Sequence, residues 1–256
     1  CDDGAAYERY MGLWSQRVGK SFLDWLAPEP GWRWLDVGCG NGAFTESLVE
    51  RCAPSSVHGI DPSGAQLDFA RTRAATRMAH FAIGDAMALP FADDAFDAAV
   101  MPLVIFFVPE PRQGVGEMAR VVRPGGSVSA YAWDMLGGGF PYEAVRAELR
   151  ALGVPAPDAP SVDASRLDAL RELWLGAGLE AVETRTITAQ RTFSDFDDFW
   201  AIARGGPSLG PKLSALSPAD LTLLQTRLRA RLPADASGRI TLSGRANAVK
   251  GRVPGG

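Results

Sequence analysis

The sequence is poor in the side chains that build disulfide and metal centres. Its 256 residues include only three cysteines and two histidines. An odd, sparse set of cysteines is not typical of a disulfide framework. The sequence has no Cys-x-x-Cys pair that would indicate zinc and no cysteine cluster that would indicate an iron–sulfur centre, so we expect no metal site.

Long apolar runs and clustered positive charge are also missing. No apolar run approaches the ~20 residues that span a bilayer. The N-terminal stretch CDDGAAYERY lacks the basic start and apolar middle of a signal peptide, so we expect a cytoplasmic protein. The net charge is −4 and the basic residues are scattered, which disfavours nucleic acid as a partner.

The hydrophobic pattern alternates between short apolar segments and amphipathic ones. Apolar positions three and four apart predict a first helix over 7–27, which ends at a Pro-Glu-Pro-Gly turn. Strands are predicted at 32–37, 57–60, 81–83, 96–101, 128–133, 179–189 and 239–249, with helices at 43–51, 65–78, 114–121, 167–175, 195–203 and 219–231. A turn is predicted at 123–126, where the sequence is Arg-Pro-Gly-Gly. This alternation predicts an α/β fold with a mostly parallel sheet and helices on both faces.

Three acidic residues lie at or just beyond the carboxyl ends of the first three predicted strands. They are Asp36, Asp61 and Asp85. Open parallel sheets bind ligands outside the carboxyl ends of their strands. Adjacent strands lie ~4.8 Å apart, so the three carboxylates are expected to line one crevice.

The chemistry of this crevice indicates a particular ligand. The glycine-rich segment 38–42 can turn tightly and let a ligand approach its backbone. Asp61 is placed to accept both hydroxyls of a ribose. Asp85 can accept a hydrogen bond from the amino group of adenine, while the Ala86 N–H faces a ring nitrogen. Asp36 lies near the cationic end of an amino acid, and together these groups predict S-adenosylmethionine (SAM) as the cofactor.

Four motifs resemble those of class I SAM-dependent methyltransferases. They are LDVGCGNG at 35–42, GIDPS at 59–63, GDAMALPFADDAFD at 84–97 and RVVRPGG at 120–126. The resemblance implies that the cofactor contacts are Gly38, Cys39, Gly40, Asp61, Pro62, Asp85, Ala86 and Met101. The N-terminal YERYMGLWSQ resembles a lid segment of the same group, which would place Tyr10 and Trp14 over the site.

The resemblance also implies a fold and an activity. The fold is a Rossmann-like, seven-stranded, mostly parallel sheet with a small helical cap insertion. The expected parts are an N-terminal lid helix at 1–30, a SAM-binding core at 31–192, a helical cap at 193–235, and a final strand and tail at 236–256. The expected reaction is methyl transfer to an O, N or C atom of a small molecule, mainly by proximity and orientation.

Structural interpretations of the same residues remain open. Asp61 before a proline can cap the next helix, and Asp85 can be a turn residue. Cys39 is expected to be a small packing residue because nothing in the sequence near it activates a thiol. Tyr10 and Trp14 fit core aromatic residues slightly better than a lid.

A general base is hard to find in the sequence. His80 begins the third predicted strand, far from the ligand end, and alternation places His58 on the sheet face opposite Asp61. Asp134, just after the fifth strand, is the only weak catalytic candidate. The strand-four sequence Met-Pro-Leu-Val lacks the Asn/Asp-Pro-Pro-Tyr motif of adenine or glutamine N-methyltransferases, so those substrates are disfavoured.

Two other functions remain open. Gly38, Gly40 and Ala43 also fit the Gly-x-Gly-x-x-Ala dinucleotide fingerprint, so an NAD(P)-dependent oxidoreductase is an alternative. That class would have no need for Asp85 at the next strand end. A non-catalytic SAM-binding protein is the other alternative, because methyl transfer has no obligatory catalytic side chain whose loss could be recognised.

Overall fold

A seven-stranded sheet forms the centre of the computed structural model, which describes residues 8–155, 158–232 and 234–255. In chain order the strands are β1 (Arg33–Val37), β2 (Ser56–Asp61), β3 (Ala79–Ile83), β4 (Phe96–Pro102), β5 (Val122–Trp133), β6 (Glu180–Phe193) and β7 (Ile240–Arg252). Their order across the sheet is β3-β2-β1-β4-β5-β7-β6. Strands β1 to β5 pair in parallel, and β7 runs antiparallel to both neighbours. The predicted mostly parallel α/β sheet is therefore confirmed.

Helices flank the sheet on both faces. The α-helices are α1 (Leu13–Leu26), α2 (Ala43–Cys52), α3 (Gly64–Thr72), α4 (Pro111–Val121), α5 (Glu143–Ala151), α6 (Leu167–Gly176), α7 (Phe196–Gly205), α8 (Gly210–Ser214) and α9 (Pro218–Arg231). A π-helical turn, Glu8–Gly12, precedes α1. Short 3₁₀ segments lie at Ala74–Met78, Ile105–Phe107 and Val162–Ser165. Within the described ranges, no helix is both long and apolar enough to cross a membrane.

Two hydrophobic cores cover the two faces of the sheet. Successive side chains of a strand point to opposite faces. Trp34 of β1 therefore packs in a core with α1 and α2, while Leu35 and Val37 pack in the other core with α4 and α6. Because both faces of the sheet are buried, the strand sequences are nearly continuous apolar runs.

Two predicted helices differ from those in the structure. The first predicted helix, 7–27, begins instead as the π-helical turn, and its residue Tyr7 lies outside the described residues. The predicted helix 65–78 ends at Thr72, because Arg73 is extended with φ −70° and ψ 127°. The Arg73 side chain donates a hydrogen bond to the backbone oxygen of Asn41. This contact joins residues that are distant in sequence, so the periodicity of apolar residues does not predict it.

The predicted turn at 123–126 is part of β5. The register between β4 and β5 jumps from Phe96–Val122 to Ala98–Ser127, so the Arg-Pro-Gly-Gly segment forms an irregularity within the strand. Arg123 Nε donates to Asp97 Oδ1 at 2.6 Å, which holds the segment against β4. The segment belongs to β5 and is not a separate turn, because the Gly125 N–H donates to the Val253 carbonyl and the Val253 N–H donates to the Gly126 carbonyl.

The segments that follow β5 and β6 contain helices that the sequence pattern missed. Helix α5 lies between β5 and β6, and the short α8 lies between α7 and α9. Helices α7 to α9 all fall between β6 and β7, where the insertion at 193–235 is predicted. Residues 1–7, 156–157, 233 and 256 of the predicted parts lie outside the described residues.

Candidate functional site

A cavity of about 360 Å³ lies at the carboxyl ends of β1, β2 and β4. It is termed the glycine-loop cavity. Its walls come from the loop after β1, the end of β2, the segment after β4 and helices α1 to α3. The lining residues are Ser15, Gly38, Cys39, Gly40, Asn41, Ala43, Phe44, Asp61, Pro62, Gln66, Pro102, Leu103, Val104, Phe107 and Tyr131. Five predicted cofactor contacts, Gly38, Cys39, Gly40, Asp61 and Pro62, are therefore brought together.

The glycine loop needs glycine at two positions for different reasons. Gly38 has φ +73°, and a Cβ there would lie 2.5 Å from Cγ2 of Val104, so the loop packs too closely for a side chain. Gly40 has φ +52° and no atom within 4 Å of the place of a Cβ, so its backbone borders open space. The N–H groups of Gly38 and Cys39 both donate to the Ile60 carbonyl, at 2.8 and 2.9 Å. These bonds fix the loop to β2.

The Asp61 carboxylate is held in place and retains hydrogen-bonding capacity. Its Oδ2 accepts from the Gly40 N–H and its Oδ1 from the Ser63 N–H, both at 2.9 Å. An ionised carboxylate has about four acceptor sites, so roughly two remain for a ligand diol. Ser63, not Asp61, is the N-cap residue of α3, because its side chain accepts from the Gln66 N–H.

Asp36 lies behind the cavity wall. Its side chain is fully buried and Oδ2 accepts a hydrogen bond from Thr45 Oγ1 at 2.6 Å. Within the described part of the chain, Oδ1 has no hydrogen-bond partner. Burial, with a smaller contribution from the charge of Asp61, raises the pKa of the carboxyl to about 7, and the Thr45 hydrogen bond opposes this rise. Its predicted contact with the amino end of a ligand stays a prediction.

Three other predicted contacts lie outside the cavity wall. Asp85 follows β3, is exposed, and accepts the Met87 N–H at 2.8 Å through Oδ1. Ala86 is partly buried against the second core, and Met101 is fully buried within it. The β2–β3 register pairs Asp61 with Ile83, so Asp85 lies two positions beyond the strand pair that carries Asp61. Their cofactor contacts also stay predictions.

The two aromatic residues of the predicted lid are packed in the core. Trp14 is fully buried, and its Nε1 donates to the Tyr142 hydroxyl at 3.4 Å. The Tyr10 ring stacks on Tyr142 with ring centres 4.3 Å apart. Trp14 lines neither cavity described here, and Tyr10 lines the second one.

Ser15 is a cavity residue that the sequence did not single out. It is carried by α1 and lines the glycine-loop cavity. Its Oγ is buried and has no hydrogen-bond partner among the residues that the structure describes. A buried hydroxyl without a partner is costly, so a polar ligand atom in the cavity would satisfy it. The helical pattern emphasised its neighbour Trp14 instead.

A second cavity of about 450 Å³ lies beside the first. It is termed the aromatic cavity, because rings from several elements dominate its wall. The lining residues are Tyr10, Met11, Leu103, Phe106, Phe107, Trp133, Met135, Phe140, Arg146, Leu149, Asp158, Ala159, Pro160, Pro207, Ser208, Leu209 and Lys212. Leu103 and Phe107 line both cavities, so their contents would lie side by side.

The sequence-based candidates for a base are engaged elsewhere. Asp134 Oδ2 accepts from Arg245 at 2.7 and 3.0 Å, Oδ1 accepts from the Gly137 N–H, and the residue lines neither cavity. His58 and His80 lie opposite each other in β2 and β3 with ring centres 5.0 Å apart. Burial lowers the pKa of His58, and the charge of His80 adds to this. None of the three is placed to take a proton from a ligand in either cavity.

Cys39 is a buried thiol within the glycine loop. Burial raises its pKa strongly above the ordinary value, and the nearby Asp36 and Asp61 charges add to this effect. The thiolate form that metals and electrophiles require is therefore disfavoured. The described residues contain no group of three or more His, Cys, Asp or Glu side chains that could hold a metal ion.

Comparison with known proteins connects this geometry to a family. Residues 35–130 match the family model described as a methyltransferase domain. The ubiquinone/menaquinone biosynthesis C-methyltransferase UbiE of Ruegeria sp. is 35% identical over 131 residues, which make up 49% of this chain and 52% of that protein. The chain spans about half the length of the UbiE relatives it matches. The predicted resemblance to methyltransferases is confirmed over this part of the chain.

Solved structures share the fold over most of the chain. A protein of Bacillus halodurans proposed to be a methyltransferase superposes with a TM-score of 0.63 at 17% identity, covering 92% of this chain and 98% of that one. Phosphoethanolamine N-methyltransferase 2 of Haemonchus contortus, solved with SAM, gives 0.60 at 19% identity, covering 99% of this chain and 57% of that one. These superpositions show a common Rossmann-like fold, which confirms the predicted fold class.

Proposed function

We propose that the chain is a SAM-dependent methyltransferase that acts on an O, N or C atom of a small molecule. The observation that carries the proposal is the shared wall of the two cavities. Leu103 and Phe107 separate a glycine-loop cavity, at the position where this fold binds nucleotides, from an aromatic cavity of ligand size. The methyltransferase-domain match over residues 35–130 supports SAM as the first occupant.

The residues present fit the chemistry of SAM. Asp61 keeps acceptor capacity for a ribose diol. Gly40 leaves room beside its backbone, and the Ser15 hydroxyl lacks a partner in the described structure. We therefore assign the cofactor to the five cavity residues Gly38, Cys39, Gly40, Asp61 and Pro62. The contacts proposed to complete the set are Asp36, Asp85, Ala86, Met101, Tyr10 and Trp14.

When bound, SAM supplies a methyl group on a positively charged sulfur, which keeps the electron pair as the methyl carbon bonds to the acceptor. The chain's task is then to align the acceptor and exclude water. Positioning of this kind contributes roughly 7–11 kcal/mol to lowering a barrier. Phe106 and Trp133, both buried in the aromatic cavity wall, provide apolar surface for this purpose. Asp158, the one carboxylate of that wall among the described residues, is paired with Arg146 at 3.1 Å, so we propose catalysis without a dedicated base.

Calorimetric titration tests the cofactor assignment. We expect the wild-type protein to bind SAM and its demethylated product in the micromolar range, and not NADH or NADPH. Asp61→Ala removes the acceptor for the ribose and is expected to weaken SAM binding about 100-fold, since hydrogen bonds to a charged group contribute about 1.5–3 kcal/mol. Asp68→Ala is the matched control, because Asp68 is an exposed α3 residue paired with Arg71.

Two results would contradict the proposal. Binding of NADH without binding of SAM would assign the glycine loop to an oxidoreductase. Equal SAM affinities of the Asp61→Ala and Asp68→Ala variants would show that the ligand does not use the Asp61 carboxylate.

A further inference from the structure

The aromatic cavity is bordered by one lysine whose charge no described residue neutralises. Its charged wall residues are Arg146, Asp158 and Lys212. Arg146 is paired with Asp158 at 3.1 Å and lies 3.7 Å from Glu143. Lys212 makes no ion pair or hydrogen bond within the described structure. The cavity wall therefore contains an ion pair and one lysine that has no partner among the described residues.

Lys212 is carried by a helix that is packed firmly against the cavity. Its neighbour Leu213 is fully buried. The loop before α8 lies close to Tyr10, because a Cβ on Gly206 would come within 2.6 Å of the Tyr10 ring. The Tyr10 hydroxyl also lies 3.3 Å from Ser208 Oγ. These contacts fix the backbone that carries the ammonium group.

The rest of the wall favours an apolar ligand body. Phe106, Phe107, Trp133 and Phe140 come from three different segments and all face the cavity. Removing apolar surface from water is worth about 25 cal/mol per Å². A ligand that fills this cavity therefore gains most of its affinity from a ring or an alkyl chain, whereas its polar group determines its orientation.

We propose that the methyl acceptor is an apolar carboxylic acid whose carboxylate pairs with Lys212. Attraction between opposite charges is stronger next to a low-dielectric wall than in water, so this pair adds affinity and orientation. An anionic acceptor would pair with the Lys212 ammonium group, which has no partner among the described residues of the wall. The inference rests on the proposed function for the identity of the neighbouring cavity.

The same placement determines which end of the acid reacts. Lys212 lines the aromatic cavity alone, whereas Leu103 and Phe107 line both cavities. A carboxylate paired with Lys212 is therefore expected within the aromatic cavity and not beside the cofactor, with the other end of the molecule toward the shared wall. The atom that is methylated is not the carboxylate, so the product keeps its negative charge.

Matched pairs of acids and alcohols test whether the aromatic cavity binds a carboxylate. The probes are benzoate, 2-naphthoate and octanoate, each compared with the corresponding primary alcohol, titrated into protein saturated with S-adenosylhomocysteine. We expect at least one acid to bind at least about tenfold more tightly than its alcohol, the effect of a hydrogen bond to a charged group. Lys212→Met, which keeps an unbranched stem but lacks the ammonium group, should abolish that preference and leave the affinity for the alcohol unchanged.

The control variant is Lys20→Met. Lys20 is an exposed α1 residue that pairs with Asp24 and lines neither cavity. It should keep the preference for the acid. The SAM affinity of each variant, measured on the same preparation, reports whether the cofactor site is intact.

The outcomes separate the two proposals. If SAM binds but no acid in the panel binds more tightly than its alcohol, or if Lys212→Met keeps the preference, the carboxylic acid inference is wrong and the methyltransferase proposal stands. If SAM does not bind to the wild-type protein, the proposed function fails. With an acid that does serve as acceptor, a methyl ester as the product would overturn the proposed orientation.

Discussion

Glu8 and Arg73 join the N-terminal segment to the glycine loop. Glu8 Oε2 lies 2.8 Å from Arg73 Nη2. The same guanidinium donates to the Asn41 carbonyl through Nε at 2.7 Å and pairs with Glu46 through Nη1 at 2.7 Å. The Arg73 side chain is only 11% exposed. One arginine thus links the π-helical turn, the loop after β1 and helix α2 beside the proposed cofactor.

Arg73→Met should loosen this link. The change leaves the Glu8 and Glu46 carboxylates without their partner, and loss of one member of a buried pair is costly. Because both carboxylates are partly exposed, we expect a decrease of about 1–3 kcal/mol in the free energy of unfolding, and weaker SAM binding. Denaturant titration and calorimetry measure the two effects. Arg77→Met, at an exposed position of the next segment, is the control, and an equal effect of the two variants would contradict the linking role.

Asp36→Asn should change how stability depends on pH. Burial raises the pKa of Asp36 to about 7 in the folded protein, whereas an unfolded aspartate titrates near an ordinary pKa of about 3.9. Between these pH values the folded state holds a proton that the unfolded chain has released, so wild-type stability falls as pH rises to about 7 and then levels off. The asparagine variant lacks this loss. Its stability relative to wild type should therefore increase between about pH 4 and pH 8, by up to about 4 kcal/mol.

Denaturant titrations of both proteins at several pH values check this prediction. Thr45→Val is the informative companion, because Thr45 Oγ1 donates the hydrogen bond that opposes the rise in the pKa of Asp36. It should shift the pH-dependent loss of stability to higher pH. A stability difference between Asp36→Asn and wild type that stays constant with pH would show that Asp36 is ionised in the folded protein.

Gly38→Ala and Gly31→Ala separate backbone strain from close packing. Both glycines have positive φ, +73° and +84°. The left-handed conformation therefore costs alanine at either position about 1–2 kcal/mol of folding stability. At Gly38 the new methyl group would also lie 2.5 Å from Val104, whereas Gly31 has nothing within 4 Å. We expect Gly38→Ala to be about 1–3 kcal/mol more destabilising than Gly31→Ala. The double variant Gly38→Ala/Val104→Ala should recover part of this difference in stability, measured by thermal unfolding. No recovery would show that the Val104 side chain is not the source of the clash.

Asp134 should prove structural in a double-mutant cycle. It pairs with Arg245 through two contacts, and Arg245 also donates to the Gly137 carbonyl at 2.6 Å. We expect Asp134→Asn and Arg245→Gln to show a coupling of about 1 kcal/mol in the free energy of unfolding, because the pair is partly exposed. SAM affinity should stay at the wild-type value in both variants. Additive effects on stability would mean that the ion pair contributes nothing measurable.

The succession of strands along the chain and the location of the glycine loop were predictable because both rest on local patterns. The apolar runs before Asp36 and Asp61 indicated where two strands end. The glycines between 38 and 42 indicated a tight turn with backbone angles that favour glycine. Helix boundaries were less predictable. The chain leaves the helix at Arg73, whose guanidinium binds groups distant in sequence, and α5 has no counterpart among the predicted helices.

The sequence by itself determined the alternation of strands and helices, the glycine loop and the carboxylate of Asp61 at a strand end. Each depends on neighbours within a few positions, through side-chain periodicity, backbone conformation and turn chemistry. Only the tertiary structure placed Ser15 beside the glycine loop and Lys212 in the same wall as Trp133. Those groups meet because helices α1 and α8 pack near the carboxyl ends of the strands. Such packing is set by the fit of distant surfaces, which no local pattern encodes.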